Sequence, residues 1–89
     1  MARDLPGADL IEIGIADLER GVESDQSLLV SIGARRLSQL GFRVPSPIPS
    51  PEHRLYAVLA IRHGDAAHSR YNALVRRLVS FERTAECVS

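Results

Sequence analysis

Residues Asp65 to Glu86 read DAAHSRYNALVRRLVSFERTAE, and this stretch decides the fold. An α-helix turns by about 100° per residue, which places Ala67, Tyr71, Leu74, Val75, Leu78, Phe81 and Ala85 in one broad arc. That stripe predicts a long amphipathic helix over 66–86 with its apolar side on a core. On the flanks Arg70 and Arg77 stack two turns apart, and Arg76 and Arg83 do the same on the other side. Ser69, Ala73, Ser80 and Thr84 form a strip of small residues between the two rows. Charges opposite an apolar stripe are ordinarily a solvated face. Two columns of guanidinium groups are also a surface that phosphates or an acidic partner helix would fit.

The rest of the chain has to supply what this helix packs on. With 89 residues there is room for one domain and a single modest core, but not for a roomy enclosed active site in addition. A hydrophobic fraction of 45% and a charged fraction of 25% are those of an ordinary globular chain, which excludes wholesale disorder. All eleven basic residues are arginine. Alanine, glycine and leucine are frequent as well, a bias that a GC-rich coding sequence produces by itself, so position says more than number. Residues 1–25 carry seven carboxylates against two arginines, and residues 26–89 carry nine arginines against four carboxylates. The chain is neutral overall and polar end to end. Either the acidic first helix lies beside the basic last one in the same molecule, or it does so in a neighbouring copy. Exposed pairs of that kind contribute only about 0–1 kcal/mol each and set orientation more than stability.

Cys87 is the only cysteine, so no intrachain disulfide can form. The first residues reach Asp4 and Pro6 without an apolar signal core, and no run approaches the roughly 20 apolar residues of a membrane span. A cytoplasmic protein without membrane association is expected.

Working back along the chain, four helical segments and one bend emerge. The first, over 8–20, places Ile11, Gly14, Ile15, Leu18 and Val22 on one face, with Gly21 as its stop. Ile11, Ile13 and Ile15 alternate like a strand, but Leu18 and Val22 continue the helical period and no partner strand is evident. Helical geometry then turns Ile13 outward. Ser24 and Asp25 offer N-caps for a second helix over 25–40, ended by Gly41, whose apolar set is Leu28, Leu29, Ile32, Leu37 and Leu40. Gly33 inside it allows another backbone to come close. Arg36 falls in that apolar arc and Glu82 at the edge of the stripe on the last helix, so an Arg36–Glu82 ion pair would reconcile both. Residues 42–50, FRVPSPIPS, carry three alternating prolines, which deny helix and predict an extended strap held on the core by Phe42, Val44 and Ile48. Ser50 as N-cap, Pro51 at the first helical position and Glu52 in the first turn open a third helix over 51–63. It buries Leu55, Val58 and Leu59, with Tyr56 and Ile61 at the margins. Gly64 ends it and Asp65 is placed to cap the next.

Ala60, three intervening residues and Gly64 resemble the turn region of bacterial helix-turn-helix repressors. The resemblance implies DNA binding through a degenerate motif at 55–80, with His68, Ser69, Arg70 and Asn72 reaching base edges or phosphates. The sequence departs from the pattern at Asp65 and Arg70, where the family carries apolar residues. His63, Asp65 and His68 match no closed metal-binding set. His68, Tyr71 and Cys87 sit in no nucleophile elbow, phosphate cradle or paired-carboxylate arrangement. No catalytic residue, cofactor or metal is expected. The His68–Asn72 run either ties the neighbouring link and strap through Arg70 and Asn72 or serves a partner.

The sequence therefore predicts an all-α, four-helix domain, two antiparallel helical hairpins joined by the proline-rich strap, with the last helix longest and most central. Its expected role is a protein–protein interaction or small regulatory module, with self-association through Ile13 and the small-residue strip. The alternative is a DNA-binding regulator. His68, Arg70, Asn72, Arg76, Arg77 and Arg83 are the candidate binding residues for a protein or nucleic-acid partner.

Overall fold

The structure, a computed structural model, describes residues 5–88. Those residues form α1 (Ala8–Glu19), α2 (Asp25–Ile32), α3 (Ala34–Gln39), α4 (Pro51–His63) and α5 (Ala67–Val88), with a single 3-10 turn over Gly64–Ala66 before α5. The architecture is the all-α one read from the sequence, two helical hairpins on either side of the strap. The second predicted helix is two pieces, α2 and α3, separated at Gly33. The interruption is shallow, because the Gly33 N–H still reaches the Leu29 carbonyl at 3.2 Å and the Leu37 N–H reaches the Gly33 carbonyl at 2.8 Å. A Cβ at Gly33 would lie 2.8 Å from Glu82 Oε2 and 2.9 Å from a Leu78 methyl. Side chains of α5, rather than another backbone, use the space that glycine leaves.

α5 is the longest element, and at about 1.5 Å per residue its 22 residues reach about 33 Å, close to the 38 Å longest dimension of the molecule. It runs unbroken past Asn72, and Ala67, Leu78, Phe81 and Ala85 of its stripe are buried. The central element, however, is α2, which touches α1, α3, α4 and α5. Ser27, Leu28, Leu29 and Val30 are wholly enclosed. A helix surrounded on several sides must be apolar or polar-satisfied on most of its circumference, and α2 achieves this with short side chains. Ser27 Oγ accepts the Ser24 N–H at 2.7 Å while Ser24 Oγ accepts the Ser27 N–H at 3.0 Å, a capping box at the start of the helix. Ser31 Oγ donates to the Ser27 carbonyl at 2.8 Å.

α1 is helical, not a strand, and Ile13 is turned outward as its period requires. Val22 does not continue its buried face. Gly21 adopts φ +70°, which ends the helix, and Val22 is left exposed. α1 seats on α2 through Gly14, where a Cβ would come within 2.4 Å of both the Gln26 carbonyl oxygen and a Val30 methyl.

The strap packs on the core as expected. Phe42, Val44 and Ile48 lie against it, the Phe42 and Phe81 rings are 5.4 Å apart, and the Ile48 N–H donates to Ser31 Oγ at 3.0 Å. Its backbone is not uniformly extended, since Ser46 and Ser50, each before a proline, take left-handed conformations with φ 43° and 50°. In that conformation Ser50 occupies the N-cap position of α4 without forming a side-chain cap. Pro51 alone provides the preorganised first turn. Asp65, predicted as a cap, lies inside the 3-10 turn and is exposed.

Replacing Gly14 with alanine is expected to lower unfolding stability by about 1–3 kcal/mol in urea titration. An unchanged midpoint would mean that α1 and α2 are not in this contact.

Candidate binding surface

Within the described residues, the acidic half of the chain forms no ion pair with the arginine rows of α5. Glu23 accepts from Arg54 at 2.8 Å and Asp25 from Arg62 at 2.8 Å, so the link between α1 and α2 is tied to α4. Arg36 of α3 pairs with Glu86 of α5. Among the described residues, no ion pair involves Arg70, Arg76, Arg77 or Arg83, and all four are exposed. Arg3 and Asp4 of the acidic segment lie outside the described residues.

The remaining acidic network was not legible in the sequence. Asp17 is 6% exposed and accepts from Ser24 Oγ at 2.6 Å and from Arg20. These hydrogen bonds, the Ser24 one foremost, hold its carboxyl below the ordinary value of 3.8. Ser24 thus caps α2 and anchors α1 at once. A serine three residues before another serine was the visible signal, but the long reach back to Asp17 depends on how the link folds.

The candidate residues fall into two groups. At the hairpin end of α5, Asn72 Nδ2 and His68 Nε2 are 3.1 Å apart one turn from each other. The Tyr56 ring lies 6.4 Å from His68 and 5.6 Å from Tyr71. Asn72 therefore engages its own helix rather than the strap or the Gly64 link. Burial, with Glu52 nearby, pushes the Tyr71 phenol above its ordinary value, leaving it neutral at physiological pH.

Further along α5 the surface is a chain of shallow open troughs. Pro6 and Gly7 face Arg76, Arg77 and Ser80 across one. Val75, Val79 and Thr84 floor a second between Arg76 and Arg83. A third continues to Ile32, Gly33, Arg35 and Glu82 between α5 and the α2–α3 junction. Arg70 belongs by position to the first group, between His68 and Asn72, and lines none of these troughs. Arg35, Val75 and Val79 were missed as site residues. Val79, 41% exposed, sits at the edge of the apolar arc, where a helical wheel cannot separate rim from core. Arrayed guanidinium groups around a half-exposed apolar floor give a positive surface with something to bury.

Glu82 marks the inner edge of this surface. The proposed Arg36–Glu82 pair does not form: Arg36 reaches one turn further, to Glu86, and Glu82 Oε2 is buried without a hydrogen-bond partner. Burial raises its carboxyl above the ordinary value of 4.5, offset in part by Arg36. His63, Asp65 and His68 form no metal-ligand cluster, nor do any three His, Cys, Asp or Glu among the described residues.

Comparison with known protein families, curated proteins and solved structures returns no match. The class defined by fold and surface is a small all-α domain, and among the described residues no helix is long and apolar enough to cross a membrane.

The raised Glu82 value has a pH consequence. The protonated carboxyl favours folding, so its stabilising effect is fully present below the ordinary 4.5 and is lost as pH rises through the higher folded-state value. Glu82→Gln is expected to be more stable than the native chain at neutral pH, with the difference vanishing in acid. Urea unfolding of both chains across this range measures it, and equal stability at neutral pH would contradict the buried carboxylate. Asp17 acts in the opposite sense: its contribution is present above 3.8 and disappears as pH falls through the lowered value.

Proposed function

We propose that this chain is a small protein-interaction or regulatory module that holds an acidic, partly apolar helix of another protein against α5. One observation carries this reading: Arg70, Arg76, Arg77 and Arg83 stay exposed and without carboxylate partners among the described residues, although the chain has carboxylates enough to pair them. Protein interfaces favour arginine beside apolar contact area, and Val75 and Val79 supply the latter. A phosphate backbone uses the charges but not the valines. A cytoplasmic setting belongs to the same proposal, in keeping with a single free cysteine.

The reading is non-catalytic. Of the three candidates His68, Tyr71 and Cys87, the reading leaves Cys87 about 28 Å from His68 along α5 at 1.5 Å per residue. DNA binding is the second reading, favoured by the exposure of His68, Ser69, Arg70 and Asn72 together at the start of α5.

Fluorescence anisotropy with two probes separates them, a labelled acidic amphipathic peptide and a short random-sequence DNA duplex. The peptide is expected to bind, and the double reversal Arg76→Glu with Arg83→Glu to weaken it about tenfold or more. Retention of the duplex alone, released steeply by salt and lost in Arg70→Glu, would overturn this reading in favour of DNA.

A further inference from the structure

The trough between α5 and the α2–α3 junction has a basic rim and an acidic centre. Ile32, Val75 and Val79 give it an apolar floor, Arg35 stands on one wall, and Glu82 lies among them. Arg36, Val79, Glu82 and Arg83 line its continuation along α5. On the helical wheel Val79 is about 160° from Arg77, so this trough occupies the opposite flank of α5 from the one that Pro6 and Gly7 border. Arg35 and Arg83 are exposed and form no ion pair among the described residues, whereas Arg36 is held by Glu86. Glu82 Oε2 is buried without a hydrogen-bond partner, pressed toward Gly33, where a Cβ would stand 2.8 Å from it. The residue as a whole is only partly buried, so Oε1 is the oxygen open to the trough.

A helix laid over Val75 and Val79 also covers Glu82, one turn further along. Taking Oε1 out of water as well leaves the carboxyl with no hydrogen bond at all, a loss that offsets much of what burying the valines contributes. A wholly apolar partner face is thereby rejected, and one that carries a hydrogen-bond donor at this point is favoured. The donor is neutral, because an ammonium group placed there would stand among Arg35, Arg36 and Arg83, and like charges that close repel. The guanidinium groups of Arg35 and Arg83 on the rim are complementary to carboxylates on either side of the donor. From this combination we infer that the partner helix in this trough carries a hydroxyl or carboxamide, the side chain of a serine, threonine, asparagine or glutamine, that donates to Glu82 Oε1 between carboxylates that meet Arg35 and Arg83. The inference rests on the protein-binding reading of α5 and specifies the chemistry its partner must show. It also gives the under-satisfied Glu82 a use, as the acceptor that tells one acidic helix from another.

Fluorescence anisotropy at neutral pH tests this with the full chain and pairs of labelled acidic amphipathic peptides, the two members of a pair having alanine or serine at one position of the apolar face, with each position of that face taken in turn. At one position serine is expected to bind about tenfold tighter than alanine, and lysine there more weakly than serine. In Glu82→Met the advantage of serine is expected to disappear, while the alanine peptide binds at least as tightly as it does to the native chain. Glu82→Leu takes its place if circular dichroism shows the methionine chain unfolded. Arg35→Gln with Arg83→Gln is expected to weaken both members of the pair by a similar factor and to leave their ratio unchanged. No position at which serine gains, a gain that survives in Glu82→Met, or a lysine that binds tighter than serine would overturn the proposal. So would an alanine peptide that tightens on acidification with the native chain but not with Glu82→Met, since a proton would then stand in for the donor. If any of these is found while the acidic peptide still binds and is released by Arg76→Glu with Arg83→Glu, only the donor has failed. If no peptide binds, the α5 reading has failed with it.

Discussion

The close seating of α1 on α2 at Gly14 is the constraint on which the rest of the structure depends. With no side chain there, the Gln26 carbonyl and the Val30 methyl approach to distances that a Cβ would forbid. That closeness presses α2 inward, where it meets α4 and α5 as well. Once α2 is enclosed, every polar group near its start has to be satisfied locally, and the paired serines at 24 and 27 do this with short side chains. The same Ser24 reaches back to Asp17, so the end of one helix, the link and the start of the next form a single hydrogen-bonded unit.

That unit decides where the charges go. Because the link is held against α4, Glu23 and Asp25 are delivered to Arg54 and Arg62 and cannot reach the arginines of α5. Exposed pairs of this kind add little stability; their consequence is positional. Arg70, Arg76, Arg77 and Arg83 are left on the outer side of α5 without a carboxylate partner among the described residues. A molecule without net charge therefore keeps a basic, partly apolar face on α5.

Glu82 shows a cost of the same packing. The gap at Gly33 brings the junction of α2 and α3 close to α5, and the carboxylate that lines the gap loses water without gaining a hydrogen bond. Arg36, whose charge acts on Glu82, is drawn to Glu86 instead. A carboxylate oxygen buried without a hydrogen bond is ordinarily unfavourable, and here Glu82 Oε2 adjoins the troughs that floor the binding surface.

How far the sequence could be read depended on whether a feature is local. The stripe from Ala67 to Ala85, the stops at Gly21, Gly41 and Gly64, and the prolines of the strap declare their conformations through neighbouring residues alone, and the helices lie within a few residues of where periodicity placed them. The outward turn of Ile13 followed from the same period. Features set by distant residues were not legible in this way: the central position of α2, the choice of Glu86 over Glu82 by Arg36, the reach of Ser24 to Asp17, and the left-handed Ser50 that leaves Pro51 to start α4. By itself the sequence determined which segments are helical and which faces are greasy, since backbone preference and the 3.6-residue repeat act over a turn or two. Only the tertiary structure decided which carboxylate meets which arginine, because ion pairs are weak, side chains long, and their partners are chosen by how closely the helices can approach.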